Sequence, residues 1–427
     1  MKFDKSLEKF SKAIEVIPLA TQTFSKGSQQ YPFGVSPIFL EKGYGSHVWD
    51  VDGNEFIDYP MALGAVILGY SYGAVNDAIA EQLKKGINYT LPHSLEYELA
   101  ELLTDVIPCA QMVRFGKNGS DVTAGAVRAA RGFTGREKVA CCGYHGWQDW
   151  YIGTTTRNKG VPKATSDLTL PFNYNDIESL EKIFLGNKNE IAAVIMEPVG
   201  VVEPEDDFLN KVKELVHKNG AILIFDEMVT GFRWSLGGAQ EYYGVIPDMA
   251  CFGKAMGNGM PISAVVGRKD IMEMFGEVFF SFTHGGESLS LAAGLASIKE
   301  IRNKNITSKV WRLGQKLKDG YNAIVDDFDM RDITECIGLA PHTVSVFKEG
   351  SGLDVLKLKT LFQQESLSKG ILTLGVHNIS YSHTDEDVDK TLEGYKQALA
   401  IIKEAVSSGE IEKCLKGDVV QAVFRKP

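Results

Sequence analysis

Three short apolar runs with helical segments between them constrain the fold of this 427-residue chain most strongly. They are IAAVIM at 191–196, AILIFD at 221–226 and DMACFG at 248–253. The first two are separated by DDFLNKVKELVHKNG, an amphipathic helix pattern with Gly220 as its stop signal. Apolar strands that alternate with helices are typical of a mainly parallel sheet covered on both faces. The pattern therefore predicts an α/β fold with such a sheet at the centre of a large domain.

The chain is too long for one small core, and its pattern changes along its length. Near the N-terminus, GYGSHVWDVDGNEFIDY is typical of two strands around a turn at residues 52–54. Towards the C-terminus, long amphipathic helices such as SKVWRLGQKLKDGYNAI precede a less regular portion. We predict a large domain over residues 71–307 and a smaller α+β domain formed by residues 1–70 and 308–427.

The composition narrows the class of protein. The formal net charge is −10 and no block of Lys and Arg is present, which argues against nucleic-acid binding. The six cysteines show neither CxxC spacing nor the rhythm of metal ligands, so we expect reduced thiols and no metal. The N-terminal MKFDKSLEKFSKAIEVIP lacks the apolar core of a signal peptide, and no stretch reaches membrane-spanning length. We expect a cytoplasmic protein without nucleic-acid or membrane partners.

Polar residues stand at the ends of the three apolar runs, namely Glu197, Asp226 and Lys254. Ligands of open parallel sheets collect beyond the carboxyl ends of the strands, so neighbouring strands would bring an acid and an amine to one edge. An ordinary strand-end salt bridge would give the same pattern. Asp226 ends a strongly apolar run, where an uncompensated charge is costly, so we expect it to have a cationic partner. Either an ammonium group or a protonated heterocyclic nitrogen could be this cationic partner.

A candidate phosphate cradle lies in FGKNGSDVTAGAVRAARG at 115–132, with Asn118, Gly119 and Ser120 where the loop enters a helix. Amide N–H groups and the helix dipole attract an anion at such a terminus. The segment is neither a Walker A loop nor a dinucleotide-binding GxGxxG, and taken alone it favours plain helix capping. In FSFTHGGESLSLAAG, Thr283 precedes a second helix N-terminus of the same kind.

An aromatic residue and a histidine stand together in CCGYHGW, as Tyr144 and His145. Tyr144 suits either a partly buried core position or a face on which a flat ligand ring stacks. His145 suits either a satisfied structural position or the site itself. The residues alone leave both alternatives open.

Together these segments resemble the class III aminotransferases of the fold-type I pyridoxal-phosphate enzymes, and within that family most the glutamate-1-semialdehyde 2,1-aminomutases. The resemblance covers nearly the whole chain, from VWDVDGNEFIDY through MVRFGKNGSDVTAGAVRAARGFTGR, YHGW and IMEPVG to HTDEDVD. Its most specific part is IFDEMVTGFRWSLGGAQEYYGVIPDMACFGKAMGNGMPISAVVGR, followed by THGGESLSLAAG. It implies the fold-type I transferase fold, with a seven-stranded, mainly parallel sheet flanked by helices in the large domain.

The resemblance also implies an enzyme, an aminotransferase or aminomutase that uses pyridoxal 5′-phosphate. Lys254 would form the internal Schiff base with the cofactor and carry protons, and Asp226 would keep the pyridine nitrogen protonated. These two are the implied catalytic residues. The implied cofactor-binding residues are Asn118, Gly119, Ser120, Tyr144, His145, Glu197, Asp226, Met228, Val229, Lys254 and Thr283.

Each part of the cofactor has an implied partner. Gly119 and Ser120 would hold the phosphate at the helix N-terminus. Tyr144 would stack on one face of the ring, and Met228 or Val229 would close the other side.

The resemblance further implies an obligate homodimer with its active sites at the interface. Thr283 would reach the phosphate site of the neighbouring subunit. The other partners would be a small-molecule amino donor and acceptor.

The chain departs from the aminomutase pattern beside the phosphate cradle and in THGGE at residues 283–287, here called the Thr283 segment. The aminomutases have asparagine and serine where Lys117 and Asn118 stand, and leucine and asparagine where His284 and Glu287 stand. A phosphate tolerates either of the first two changes, and Lys117 could add charge. The other two changes bear on the substrate side.

Two further departures concern the grip on the substrate. The aminomutases have a basic residue in an N-terminal loop that binds the substrate carboxylate, whereas SQQYPFGVSPIF at 28–39 has none, and Gly375 stands where they have a glutamate. We therefore expect an altered pocket for hydroxyl- or amine-rich substrates, such as a keto- or amino-sugar or a small amino ketone. The alternatives are a true aminomutase that gives 5-aminolevulinate, and a non-catalytic regulatory protein that keeps the fold.

Overall fold

The computed structural model describes residues 1–349 and 352–422. The described residues form two compact units, one of which combines residues 1–72 with those from 308 onward, while the other is Gly73–Thr307. The mainly parallel sheet of the larger unit and the α+β content of the smaller one confirm the predicted fold class. The domain boundaries given above remain a proposal.

The smaller unit begins with a helix and an antiparallel meander. Its first elements are helix α1 (Asp4–Val16), 3₁₀ turns at Pro18–Ala20, Phe24–Lys26 and Ser28–Gln30, and strands β1 (Leu40–Tyr44), β2 (His47–Asp50) and β3 (Glu55–Asp58). The turn predicted at residues 52–54 connects β2 to β3, which pair antiparallel. Asp50 Oδ1 accepts the N–H groups of Asp52 and Asn54, at 3.0 and 2.7 Å, and so stabilises this turn.

The larger unit alternates strands and helices, as the apolar runs predicted. Its strands are β4 (Met112–Gly116), β5 (Lys138–Cys142), β6 (Thr169–Pro171), β7 (Ile191–Met196), β8 (Ile222–Asp226), β9 (Met249–Phe252) and β10 (Ser263–Gly267). Its helices are α2 (Gly73–Leu83), α3 (Ser94–Val106), α4 (Gly119–Thr134), α5 (Asp149–Ile152), α6 (Lys163–Ser166), α7 (Ile177–Gly186), α8 (Phe208–Lys218), α9 (Ala239–Tyr243), α10 (Lys269–Met272) and α11 (Ser288–Asn303).

The strands of residues 73–307, a range described without gaps, form one seven-stranded sheet in the order β4-β10-β9-β8-β7-β5-β6. Strand β10 is antiparallel to β4 and β9, and the other neighbours are parallel. Strands β7, β8 and β9 are buried along their whole length, which accounts for their continuous apolar sequence. Each buried Ile, Leu or Val stabilises the fold by about 1.5–3 kcal/mol. Because β4, β5, β7, β8 and β9 run in the same direction, their carboxyl ends lie at one edge of the sheet.

The C-terminal part completes the smaller unit. It comprises α12 (Ile306–Asp327), β11 (Thr334–Leu339), β12 (His342–Phe347), α13 (Val355–Ser368), β13 (Ile371–Leu372), β14 (Val376–Asn378), α14 (Asp385–Ser408) and α15 (Ile411–Cys414). Strand β13 pairs in parallel with β3, so the two ends of the chain share a sheet of order β1-β2-β3-β13. Strands β11, β12 and β14 form a second, antiparallel sheet.

Two expectations from composition concern the whole described chain. All six cysteines lie among the described residues as free thiols, and four of them are buried. No helix within residues 1–349 and 352–422 has the length and apolarity that a membrane crossing requires.

Candidate active site

The shared carboxyl edge of the parallel strands brings the predicted strand-end residues together. Asp226 is the last residue of β8, Glu197 follows β7, and Lys254 lies two residues beyond β9. Tyr144 and His145 follow β5, which pairs directly with β7. Because β5, β7, β8 and β9 are consecutive and parallel, these side chains start from one edge of the sheet.

The structure places His145 beside Asp226, where the sequence predicted a cationic partner. Its Oδ2 lies 2.8 Å from Nδ1 of His145, and both residues are almost fully buried. Nε2 of His145 lies 3.1 Å from the carbonyl oxygen of Cys142. Both ring nitrogens of His145 thus face oxygen atoms, which fixes the orientation of the ring. Asp226 Oδ1 accepts the N–H of Met228 at 3.1 Å, so the carboxylate is fixed at both oxygens.

Lys254 opens a short 3₁₀ turn, Lys254–Gly257, and has a left-handed backbone with φ of 42°. Such a backbone is uncommon for lysine and marks a constrained position. Burial lowers the pKa of the Lys254 amine, and the nearby Arg233 guanidinium lowers it too. The carboxylates of Glu197 and Asp226 act in the opposite direction without restoring the ordinary pKa. The amine is therefore shifted towards its neutral, nucleophilic form.

Glu197 is held against the loop that follows β5. Its Oε2 accepts the N–H of Tyr144 at 3.0 Å. Gly143 has φ of 104°, and a Cβ there would lie 2.5 Å from that same oxygen, so only glycine allows this approach. Burial raises the pKa of Glu197, and the Asp226 carboxylate adds to this, against His145, the Tyr144 N–H and Lys254. Glu197 is thus a buried carboxyl group beside Asp226 at this edge of the sheet.

The predicted phosphate cradle is the first turn of α4. Asp121 Oδ2 accepts the N–H groups of Lys117 and Asn118, at 3.1 and 2.7 Å, and so fixes the loop that enters the helix. Within residues 1–349 and 352–422, no protein acceptor faces the N–H groups of Gly119 or Ser120. These two donors lie at the positive end of a 16-residue helix. They are available to an anion.

The cradle packs directly against the strand-end residues. A Cβ at Gly146, where φ is 104°, would lie 2.5 Å from Cβ of Ser120. Met228 Sδ would lie 2.8 Å from a Cβ at Gly119 and 2.7 Å from one at Gly253, the residue before Lys254. Met228 thus fills the space between the start of α4 and the lysine turn.

Three other residues predicted to bind the cofactor are partly or fully exposed. The side chain of Tyr144 is about half exposed (51%), which leaves part of its ring accessible to a ligand. Val229 is partly buried next to Met228. Thr283 is exposed, and its carbonyl oxygen accepts from Nδ2 of Asn88 at 3.2 Å.

One ionic contact was not predicted from the sequence. Nζ of Lys117 lies 2.9 Å from Oε2 of Glu287, so the extra charge beside the cradle has a carboxylate partner. The two residues are 170 positions apart, and no local pattern relates them.

The donor set fits pyridoxal 5′-phosphate. An amine of lowered pKa suits bonding to the aldehyde, and a buried carboxylate suits a protonated ring nitrogen. The N–H groups of Gly119 and Ser120 suit the phosphate. An exposed tyrosine ring face suits a flat heterocycle.

Comparisons with known proteins agree with this assignment. The family model of the class-III aminotransferases matches residues 30–399. A glutamate-1-semialdehyde 2,1-aminomutase of Archaeoglobus fulgidus is 37% identical over 93% of this chain and 100% of its own length. A 3-aminobutyryl-CoA aminotransferase of Cloacimonas acidaminovorans is 35% identical over 94% of this chain and 98% of its own. The solved FumI protein of Sphingopyxis sp. MTA144, in its PLP internal aldimine form, is 25% identical, covers 95% and 98% of the two chains, and superposes with a TM-score of 0.88.

Proposed function

Since the chain belongs to the class III aminotransferases, enzymes of pyridoxal 5′-phosphate, we propose that it transfers amino groups with Lys254 as its central catalytic residue. The observation that carries this proposal is the convergence of Lys254 and Asp226 on one edge of the sheet. When bound, the cofactor supplies a protonated ring that accepts the electrons of a deprotonated substrate carbon.

Lys254 would hold the cofactor and, once a substrate amine has displaced it, its freed Nζ would move a proton. Burial lowers the pKa of this amine and so favours the neutral form, which such a proton transfer requires. The carboxylates of Glu197 and Asp226 limit the shift, so the amine also regains a proton readily.

Asp226 would face the ring nitrogen of the bound cofactor and favour its protonated form, and His145 orients Asp226. The two side chains lie 2.8 Å apart and are both buried, so the contact fixes the carboxylate in place. This makes His145 a positioning residue, since it acts through Asp226.

The N–H groups of Gly119 and Ser120 would hold the phosphate, and Tyr144 and Met228 or Val229 would contact the ring. In the proposed homodimer, Thr283 of one chain completes the phosphate site of the other. The exposure of Thr283 in the single chain supports this arrangement, because its side chain is accessible to a second copy.

For the substrate, we propose a hydroxyl- or amine-rich carbonyl compound, such as a keto- or amino-sugar or a small amino ketone. The chain has no acidic side chain at Gly375, where φ is 87° and a residue with a Cβ would be strained. Residues 28–39 contain no basic side chain. This chain thus lacks, at both places, the side chains with which the aminomutases bind a carboxylated substrate.

A second candidate is glutamate-1-semialdehyde aminomutase activity, favoured by Lys26. This residue precedes the loop of residues 28–39 and lines a cavity of about 360 Å³ within the smaller unit, together with Ser28 and Tyr31. A lysine at this position offers a charge for a substrate carboxylate that the loop itself lacks.

Absorbance spectroscopy of the purified protein tests both candidates. Amine donors, including amino sugars and small amino ketones, are added one at a time, and conversion to the pyridoxamine form is followed. Conversion by an amino sugar or amino ketone, without 5-aminolevulinate from glutamate 1-semialdehyde, supports the first proposal. Efficient 5-aminolevulinate formation that Lys26→Met weakens supports the second. A cofactor-loaded protein that no donor converts would be a non-catalytic member of the fold.

A further inference from the structure

Lys117 and Glu287 form an ion pair that is largely shielded from water. The distance between Lys117 Nζ and Glu287 Oε2 is 2.9 Å, and the two side chains are only 15% and 12% exposed. An exposed ion pair contributes little, whereas removing one partner of a shielded pair leaves an uncompensated charge. Each of the two charges is therefore stabilised by the presence of the other.

The carboxylate of Glu287 also caps helix α11. It accepts the N–H of Leu289 at 2.6 Å, the N–H of Ser290 at 3.3 Å and the Ser290 hydroxyl at 2.6 Å. Burial alone would raise the pKa of Glu287, yet the hydrogen bonds from Ser290 and Lys117 lower it. The carboxylate is thus held ionised at the point where the Thr283 segment enters α11.

The backbone of Lys117 is fixed at the entry of helix α4. The N–H of Lys117 donates to Asp121 in the first turn of α4, two residues before the cradle donor Gly119. The ion pair consequently joins the entry of α4 to the entry of α11. The first entry bears Gly119 and Ser120, and the second follows Thr283 by a few residues.

We propose that Lys117 and Glu287 are a positioning pair that fixes the spacing between the phosphate-binding turn of α4 and the Thr283 segment, and thereby sets the affinity for the cofactor phosphate. The proposal rests on the cofactor site assigned above. In the homodimer, each pair would connect a chain's own phosphate turn to the segment that serves its partner. The competing role for Lys117 is direct contact with the phosphate.

The two roles predict opposite effects of Glu287→Gln. Glutamine keeps an oxygen for the α11 cap but removes the charge that holds Lys117. If the pair positions the two segments, the Kd for pyridoxal 5′-phosphate rises about fivefold. If Lys117 contacts the phosphate directly, its release by Glu287→Gln makes cofactor and inorganic phosphate bind more tightly.

The experiment measures the Kd of the apo-protein for pyridoxal 5′-phosphate by absorbance, with inorganic phosphate as a competitor. The variants are Glu287→Gln, Lys117→Met and the double variant. We expect each single variant to weaken binding about fivefold and the double variant to be no weaker than the worse single one. Additive effects, unchanged affinity or tighter binding in Glu287→Gln would overturn the proposal.

Two further measurements separate positioning from general damage to the fold. Asp105→Asn breaks the exposed pair with Arg302, which also lies on α11, and should leave the Kd unchanged. Combining Thr283→Ala with Glu287→Gln should add little to either change, because both act through one segment. If Glu287→Gln lowers only the melting temperature, its role is structural and the proposal fails.

The outcome for this pair is distinguishable from that for the proposed function. A wild-type protein that fails to bind the cofactor through Lys254 would refute the assigned site itself. If the wild type binds and Lys254→Ala abolishes the covalent signature, the site stands, and equal affinities in all the pair variants would refute this inference alone.

Discussion

The imidazole Nδ1 of His145 lies 2.8 Å from Oδ2 of Asp226, and the same ring faces the carbonyl oxygen of Cys142 through Nε2. Both nitrogens of the ring therefore face oxygen atoms, and the ring holds the Asp226 carboxylate in one orientation. The carboxylate stands at the very end of an apolar strand, where a polar group requires a partner.

We expect His145→Asn to lower kcat about tenfold and to change KM by less than about twofold. Asparagine keeps an amide donor but lacks the second ring nitrogen that faces the Cys142 carbonyl oxygen, so Asp226 is held less firmly. Asp226→Asn should lower kcat further, by about 100-fold or more, because the ring nitrogen then loses its ionic partner. Steady-state kinetics with an amine donor found by half-reaction screening provide the measurement. Equal kcat values for His145→Asn and wild type would contradict the positioning role.

Lys254→Ala should abolish the visible absorbance of the lysine-bound cofactor and lower the rate of amino transfer at least about 1,000-fold. The side chain lies in a short 3₁₀ turn rather than in a strand, so the fold should survive. Lys269→Ala, at an exposed position of α10, serves as the control and should retain both colour and rate. A Lys254→Ala protein that stays yellow and active would refute the assignment.

Gly146→Ala should weaken cofactor binding because the new Cβ would lie 2.5 Å from Cβ of Ser120 in the cradle. The backbone φ of 104° adds strain, and we expect a destabilisation of about 3 kcal/mol with at least a tenfold higher Kd.

Gly160→Ala is the matched control, since φ there is 95° but nothing lies within 4 Å of the added Cβ. It should cost about 1 kcal/mol and leave the Kd unchanged. Urea unfolding and cofactor titration of both variants check the prediction. A Gly146→Ala protein that resembles Gly160→Ala in both measurements would show that the contact with Ser120 is unimportant.

A buried histidine should make the smaller unit sensitive to acid. His383 stacks on Tyr59 with 5.0 Å between ring centroids, and its Nδ1 accepts the N–H of Ser380 at 3.0 Å. Burial lowers the pKa of His383 from 6.5 to about 4. Between these values the unfolded chain binds a proton that the native protein does not. The histidine's contribution is therefore complete above pH 6.5 and is lost as the pH falls towards 4.

His383→Asn isolates this effect, because the asparagine oxygen can replace Nδ1 as acceptor without titrating. From pH 7 to pH 5, we expect wild type to lose about 2 kcal/mol more unfolding free energy than the variant. Burial raises the pKa of Asp58 to about 6, so its contribution to the unfolding free energy has the opposite pH dependence, and Asp58 is present in both proteins. Urea unfolding at several pH values gives the unfolding free energy of each protein as a function of pH. An equal pH dependence in the two proteins would exclude His383 as the source of the acid sensitivity.

The strand-end residues were predictable because their signal is local. A continuous apolar run followed by a charged residue identifies both a buried parallel strand and the edge where its ligand groups stand, as for Asp226 and Lys254. Strand β10 was not recognised from the sequence. Its SAVVG is fully buried, and a buried strand has the same apolar pattern in either direction.

The remaining site contacts depend on tertiary structure. The residues around His145 left its surroundings open because its contact, Asp226, lies 81 positions away. The approach of Gly146 to Ser120 likewise has no local signature beyond the glycine itself. The pairing of Lys117 with Glu287 required the two helix entries to be seen side by side.

That pairing limits how this chain can be recombined with its relatives. The resemblance to the aminomutases implies an uncharged asparagine at both positions, so neither Lys117 nor Glu287 would find its partner charge in such a relative. A chimera with a single crossover between positions 117 and 287 would inherit one charge without the other. Such hybrids should express poorly or hold the cofactor weakly, whereas a double crossover that moves both positions together should not.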